Sequence, residues 1–520
     1  MFYTMEIDPI PHAHLPEHEA IPAQPSEQRA RNIAQGLGSL TLQNLATSVL
    51  GFLFLAAMLR LLPRVQYGVY GAVNVSVSIG VTFAMLGLNQ AMARYLAFLR
   101  ERDEAQAWVA ARRILNLALL FSVVVAGIYA AASPYLSTYF TKGQSWTGIF
   151  LLAGAYLFLG SLSGVCLGVV QGLKKYVSLA KMLFISKIVM VGFGIGLLFV
   201  YPNVAIPITA WIVYSATILI WTLVLTGRKM VLAKGTFSYS EIFRYTYPLG
   251  IAAIVAAFAT SMDVVVVGGY LNPASLAVYY AAVTISTILS AILVGPLTTA
   301  FLPEISSSSN DKEISNGLRL ALRFAVLAVI PASLFVAAVP RQLISLFAGG
   351  NGYLAGAPIL ELIAVFYIFL AIEMIFVVLF QAVGKTIYVM VIGFATVASD
   401  IGVSVLLVPR LGLVGAATAK VSVGLVGALI GFYLARNYLK NIGGPYFYVK
   451  SLVSAVIPFL PTYALTYLFS DRTVMLLPYA IVYSIVFLAC VKAFKLLSEE
   501  DKSFISHILP KALHRFLRYF

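Results

Sequence analysis

Apolar residues along this chain come in long unbroken runs. Stretches of 18 or more nearly uncharged residues recur from end to end, and each is long enough to cross a hydrocarbon core as a helix. The pattern predicts fourteen spans, at about 33–59, 69–92, 114–133, 147–170, 177–200, 204–225, 247–270, 276–301, 320–339, 357–381, 387–408, 412–434, 449–469 and 473–491. A barrel would show short alternating segments instead. The expected class is therefore an all-α integral membrane protein.

The runs also repeat. "VVQGLKKYV" after span 4 carries Gln171 and Lys175, and "LFQAVGKTIYV" after span 10 carries Gln381 and Lys385, 210 residues later. Arg113, Leu117 and Ala118 at the start of span 3 return as Arg323, Leu327 and Ala328 at the start of span 9. Tyr70 and Ala72 return as Tyr279 and Ala281, and Pro202 as Pro409. Each pair joins span n to span n+6. Six is even, so both copies share one orientation, a parallel repeat. The expected organisation is two six-helix bundles (residues 32–231 and 245–436), plus a C-terminal pair, spans 13–14 (447–496). The basic stretch Thr226 to Tyr245 links the halves, and "ISSSSNDKEISNG" is a second polar loop.

Composition agrees: 61% of the 520 residues are hydrophobic, 11% are charged, and mean hydropathy is +0.93, against about 25% charged in soluble domains. The net charge of +15 suggests nucleic acid only until it is mapped. With a cytoplasmic N-terminus, inner segments hold 27 Lys/Arg and outer ones six, namely Arg60, Arg64, Lys142, Arg341, Arg410 and Arg472. The positive-inside rule then places both termini in the cytoplasm of a cell (plasma) membrane protein.

Cys166 and Cys490 lie in apolar spans, as small buried hydrophobes do. Residues 1–31 read as a polar, proline-rich disordered tail without a signal-peptide core, and its His12, His14 and His18 carry a weaker metal alternative. From 498 to 520 a helical apolar stripe flanked by Lys502, Lys511, Arg515 and Arg518 predicts an amphipathic interfacial helix, or one packed on the bundle end.

Several motifs then fall in order: a Tyr-Gly-x-Tyr entry to span 2, Gly-Leu-x-Gln-x-x-x-Arg-Tyr at its end (Gly87, Leu88, Gln90, Arg94, Tyr95), and a proline-led span 7 with Asp263. Gln-x-x-x-Lys after spans 4 and 10 and Pro-x-x-Gly-x-x-Gly-Ala-Ala at 409–417 complete the set. From about residue 30 to 495 the chain resembles the polysaccharide-transporter (Wzx-type) branch of the multidrug/oligosaccharidyl-lipid/polysaccharide (MOP) exporter superfamily. The resemblance implies a MATE/MOP-like fold with a cavity opening alternately to either face. It implies a flippase for lipid-linked oligosaccharide or polysaccharide precursors, with a polyprenyl-phosphate or pyrophosphate-linked glycan as substrate and membrane lipids and glycan-assembly enzymes as partners. It also implies a lipid-tail groove at spans 13–14, although no motif marks one.

Ionisable residues at membrane depth are the natural site candidates. They are Lys187, Asp263, Glu361, Glu373, Asp400 and Lys420. Asp400 and Lys420 each lie ten residues from Arg410, so a hairpin brings them to similar depth, about 15 Å from the turn. Their pairing either neutralises both or lets Lys420 exchange Asp400 for a substrate phosphate. Lys187 near mid-membrane suits a pyrophosphate. Asp263, Glu373 and Asp400 suit H+ or Na+ coupling, or hydrogen bonding within the core. Glu361 reads as a helix-start carboxylate. Arg60, Arg64 and Arg94 at helix ends would add positive charge for a polyanion or serve as anchors. Gln43 and Asn44 would bind sugar hydroxyls or bridge helices. Pro296 and Pro331 should kink spans 8 and 9.

A cation-coupled multidrug exporter of the same fold is the competing function. A membrane-embedded glycosyltransferase or polymerase is disfavoured, because no paired acidic motif, phosphate-binding loop or His/Cys cluster occurs in a loop. A non-enzymatic transporter without its own ATP site is expected.

Overall fold

The structure, a computed structural model, describes residues 26–227, 229–290, 294, 301, 305, 311–350, 352–439, 444–468 and 473–497. Among them, all regular elements are helical. Twelve helices among the described residues are long and apolar enough to cross a membrane. One of these, Thr386–Ala435, is two spans. Gly412 leaves helical geometry there at φ 58° and ψ −132°, and a Cβ on Gly415 would lie 2.4 Å from the Leu407 carbonyl oxygen, so the chain folds back tightly. Pro273–Leu289 is the described part of span 8. The arrangement fits fourteen spans.

In chain order, span 1 is Ser26–Leu61, span 2 Arg64–Met85 continued by Leu88–Arg100, span 3 Glu104–Thr141, span 4 Thr147–Gly172, span 5 Tyr176–Val200 and span 6 Ala205–Thr226. Span 7 is Tyr239–Tyr270, and span 9 runs from Asp311 to Ala338. Span 10 is Ala357–Ala382, spans 11 and 12 share Thr386–Ala435, span 13 is Pro445–Leu468 and span 14 Leu476–Ala493. The face bearing the connection between spans 6 and 7 is called here the linker face.

Packing repeats with a shift of six. Span 1 lies on span 5, where a Cβ on Gly194 would lie 2.5 Å from the Phe54 ring. Span 7 lies on span 11, where Gly393 faces Val255. Span 4 packs on spans 2, 3 and 6, and span 10 packs on spans 8 and 9 and on the hairpin of spans 11 and 12. The two repeated turns match in backbone detail. Lys174 (φ 57°) and Gly384 (φ 73°) both take the left-handed conformation, and their N–H groups donate to Gln171 and Gln381 respectively. Lys175 and Lys385 then precede spans 5 and 11 with φ near −89° and −86°. The echo in sequence is thus an echo in conformation.

Span 9 gives Pro331 a π-helical turn, Ala325–Val329, in the preceding turn. A proline lacks the N–H and crowds the carbonyl a turn earlier, and a widened turn relieves both effects. Spans 13 and 14 cover span 9: Thr466 donates to the Ala338 carbonyl at 3.1 Å, and Tyr483 packs on Phe335 at 5.4 Å.

Four expectations change, the first being that residues 311–317, expected within the polar loop before span 9, are helical. Helix begins at Ser26, inside the tail read as 1–31, because proline ends at Pro25 and good helix formers follow. Span 2 is broken at Leu86 and Gly87, with φ 39° and 78°. The loop after span 9 contains a helix, Pro340–Ala348, begun by a proline at its first position. Residues 1–25 with the three histidines, Pro296, Arg472 and the 498–520 stripe lie outside the described residues.

Candidate functional site

The two halves meet along span 2, and its motifs lie where they touch. At the face opposite the linker, a Cβ on Gly68 would lie 1.9 Å from the Pro273 carbonyl oxygen, so span 2 rests backbone to backbone on the start of span 8. Only glycine permits that approach. Tyr67 beside it is fully buried, with Tyr70, Tyr280 and Tyr353 at 6.0, 5.8 and 6.0 Å between ring centres. The Tyr-Gly-x-Tyr motif is therefore a seam between halves.

Arg60 and Arg64 reinforce the same seam. Arg60 donates to the carbonyls of Phe347 (3.1 Å) and Leu346 (2.6 Å) at the end of Pro340–Ala348, where a cation complements a helix C-terminus. The Arg64 guanidinium lies against Gly352, which has φ 76°. In this conformation Arg60 and Arg64 join span 1 and the start of span 2 to the loops of the second half.

At the linker face, the break in span 2 meets span 7. A Cβ on Gly87 would lie 2.9 Å from the Thr246 carbonyl oxygen, and Gly250 faces Leu86. Arg94 is exposed and stacks over Tyr245 at 4.4 Å, while Tyr95 donates to the Glu241 carbonyl at 3.2 Å. In span 1, Gln43 is buried and donates to Thr47 at 3.1 Å, with its own oxygen unpartnered. Asn44 is exposed.

The charged centre lies inside the second half. Asp263 of span 7 and Asp400 of span 11 are fully buried, and Lys420 of span 12 is 6% exposed. Lys420 pairs with Asp263 at 3.1 Å, and Tyr279 of span 8 donates to the other Asp263 oxygen at 2.7 Å. Asp400 accepts from Ser404 at 3.4 Å and is near enough for its charge to act on Lys420. The expected hairpin partners do share a neighbourhood, but Lys420 forms its ion pair with a third helix. Two carboxylates and one ammonium leave the cluster formally one charge negative, neutral once it takes a proton or cation.

Glu373 is separate. It is 6% exposed, one of its oxygens has no hydrogen-bond partner, and a Cβ on Gly427 would lie 2.4 Å from its carboxyl group. It is wedged between spans 10 and 12. Glu361 is half-buried in the first turns of span 10.

The first half holds the opposite charge. The Lys187 ammonium sits 4.5 Å from the Trp211 ring and 5.9 Å from that of Tyr214, 3.6 Å from the Met190 sulfur, with no carboxylate partner among the described residues. Trp211 donates to the Tyr70 hydroxyl at 3.0 Å and stacks on Tyr156. An ammonium on an indole face is partly stabilised without being neutralised.

A twice-repeated array of membrane-length helices with opposite charges inside its halves is the architecture of a multi-pass membrane protein. The chain belongs to the family described as polysaccharide biosynthesis protein, whose model matches residues 57–353. It is 23% identical over 393 residues to an uncharacterized membrane protein of Methanocaldococcus jannaschii, covering 69% of this chain and 75% of that one. Its fold is similar to that of the lipid II flippase MurJ in an inward closed conformation, with TM-score 0.72 and 16% identity over 88% of this chain and 98% of that one. An inward-facing multidrug resistance MATE family transporter of the MOP superfamily follows, with TM-score 0.63 and 16% identity over 77% and 98%. The family match agrees with the polysaccharide branch of the resemblance read from the sequence, and the similar structures show the MATE/MOP-like fold.

Proposed function

We propose that the protein is a flippase that carries lipid-linked oligosaccharide or polysaccharide precursors across the plasma membrane by alternating access, with the linker face in the cytoplasm. The observation that carries this reading is the family match over residues 57–353, which spans the first half from the end of span 1 and the seam on both sides. The charge distribution supports it. Lys187, unneutralised on an aromatic wall, suits the phosphate of a lipid-linked glycan, and Tyr156, Trp211 and Tyr214 around it suit sugar rings. Of the three carboxylates read as coupling groups, Asp263 already holds Lys420. Asp400 and Glu373 are therefore the better candidates for a coupling proton or Na+.

The multidrug-exporter alternative draws on the same fold. The Asp263–Lys420 pair counts against it, because an internal ammonium occupies a carboxylate that a cationic drug would need. The chain is taken to be a transporter and no enzyme.

Depletion in the native host tests the proposal. A lipid-linked glycan should accumulate on the cytoplasmic side. An unchanged glycan pool together with altered resistance to cationic drugs would instead favour the exporter.

A further inference from the structure

Span 3 and span 9 are equivalent in the repeat, yet their outer flanks differ. On span 9, Val329, Ile330, Ser333 and Ala338 are buried, and Ile330 and Ala338 pack in clusters with residues of spans 13 and 14. The residues 210 positions earlier on span 3, Leu119, Leu120, Val123 and Ile128, are 46, 55, 53 and 64% exposed. No element among the described residues covers them, and in a membrane lipid chains fill such a flank.

A pocket of about 240 Å³ opens at the linker-face end of this apolar flank, lined by Val109, Arg112, Arg113, Asn116, Gly235 and Tyr239 among others. Arg112, Asn116, Leu120 and Val123 follow one helical face of span 3, so the pocket runs into the lipid-facing stripe. Arg112 donates to the Ala233 carbonyl at 2.6 Å and Arg113 to that of Gly235 at 3.5 Å, and Arg113 also lies over the Tyr239 ring at 4.8 Å. A guanidinium has five N–H donors, so most remain available. Neither arginine has a carboxylate partner among the described residues.

The second half shows what the pocket replaces. Arg323 keeps its place, stacked on Phe447 at the start of span 13 at 4.2 Å. The counterparts of Arg112 and Asn116 are Leu322 and Val326, both buried; Val326 packs with Ile330 against Ala455 of span 13. Where the repeat places protein, the first half offers two guanidiniums and an amide above bare apolar helix.

We infer that this pocket binds the phosphate of an anionic membrane lipid from the linker-face leaflet, with the acyl chains on the Leu119–Ile128 flank and the headgroup joining span 3 to the linker between halves. Basic pockets at this depth bind anionic headgroups, and guanidinium pairs with phosphate in bidentate fashion.

The test is native mass spectrometry and thermal unfolding of the full-length protein with phosphatidylglycerol, phosphatidylcholine or inorganic phosphate. One phosphatidylglycerol should be retained in preference to phosphatidylcholine and should raise the Tm. Retention should fall about tenfold in R112Q/R113Q, the scale of one lost charge-assisted contact. Asn116→Leu, which fills the pocket but keeps both linker bonds, should do the same if the double variant does not fold. Equal retention of the two lipids, or undiminished phosphatidylglycerol binding in Asn116→Leu, would overturn the site. The same Tm rise with millimolar inorganic phosphate alone would overturn its assignment to lipid.

Discussion

The two halves share one plan of neighbours and carry opposite interiors. Positions 210 residues before Asp400 and Lys420 hold Met190 and Ala210. The position 210 residues after Lys187 is Val397. Tyr70 and Tyr279 occupy matching places, yet Tyr70 accepts from Trp211 whereas Tyr279 donates to Asp263. A repeated backbone thus supplies two equivalent cores, and a few substitutions make one a lone cation on aromatic rings and the other a net acidic network. The bilayer makes each such charge costly, so the contrast points to use rather than drift.

Lys420→Met should break the contrast most strongly. It leaves Asp263 and Asp400 buried without a countercharge and should cost about 3–5 kcal/mol, read by SDS-titrated unfolding of the purified protein. Adding Asp263→Asn restores the original net charge of the cluster and should recover most of the loss. A minor effect of Lys420→Met alone would mean that the network is hydrated and contributes little. Next in size is Gly427→Ala, whose methyl group would collide with the Glu373 carboxyl. The expected loss is about 1–3 kcal/mol, and Glu373→Ala in the same background should relieve part of it.

Lys187→Met sharpens the comparison by separating stability from transport. Only a contact worth about 0.5–2 kcal/mol is lost, while reconstituted flipping should fall at least about tenfold, as removal of a phosphate-binding charge would produce. Full flipping with a large stability loss would make Lys187 a structural cation. The smallest effect concerns the repeated turns. Lys174 holds the left-handed conformation that Gly384 holds without strain, so Lys174→Gly should stabilise by about 1 kcal/mol. That gain is reduced by loss of the exposed pair with Glu101, which is worth well under 1 kcal/mol.

The spans were legible because hydrocarbon thickness imposes a length that composition reveals. Their ends were less so: the apolar pattern predicts span 3 at 114–133, whereas it runs Glu104–Thr141, since helix continues past the apolar core into polar sequence. The break at Gly87 was hidden inside a continuous apolar run, and Pro340–Ala348 inside a loop with one charged residue. Depth could be counted along the Asp400–Lys420 hairpin, but helix rotation could not, and the actual partner comes from span 7, far away in sequence. Lys187 was recognised as exceptional, yet Trp211 lies on another helix. Arg60 and Arg64 looked like spare positive charge, and only the folded loops reveal carbonyls and a glycine waiting for them. The Arg112 pocket was invisible because each of its arginines alone reads as a topological anchor.

The seam at Gly68 has a kinetic side. Two backbones meet there with no side chain between them, so closing that contact freezes no Gly68 rotamer and opening it releases none. On the alternating-access reading, this contact can be made and broken on every cycle without an ordering penalty of its own. On the same reading it is the hard stop that would fix how far the halves close, with the tyrosines and arginines around it holding them closed.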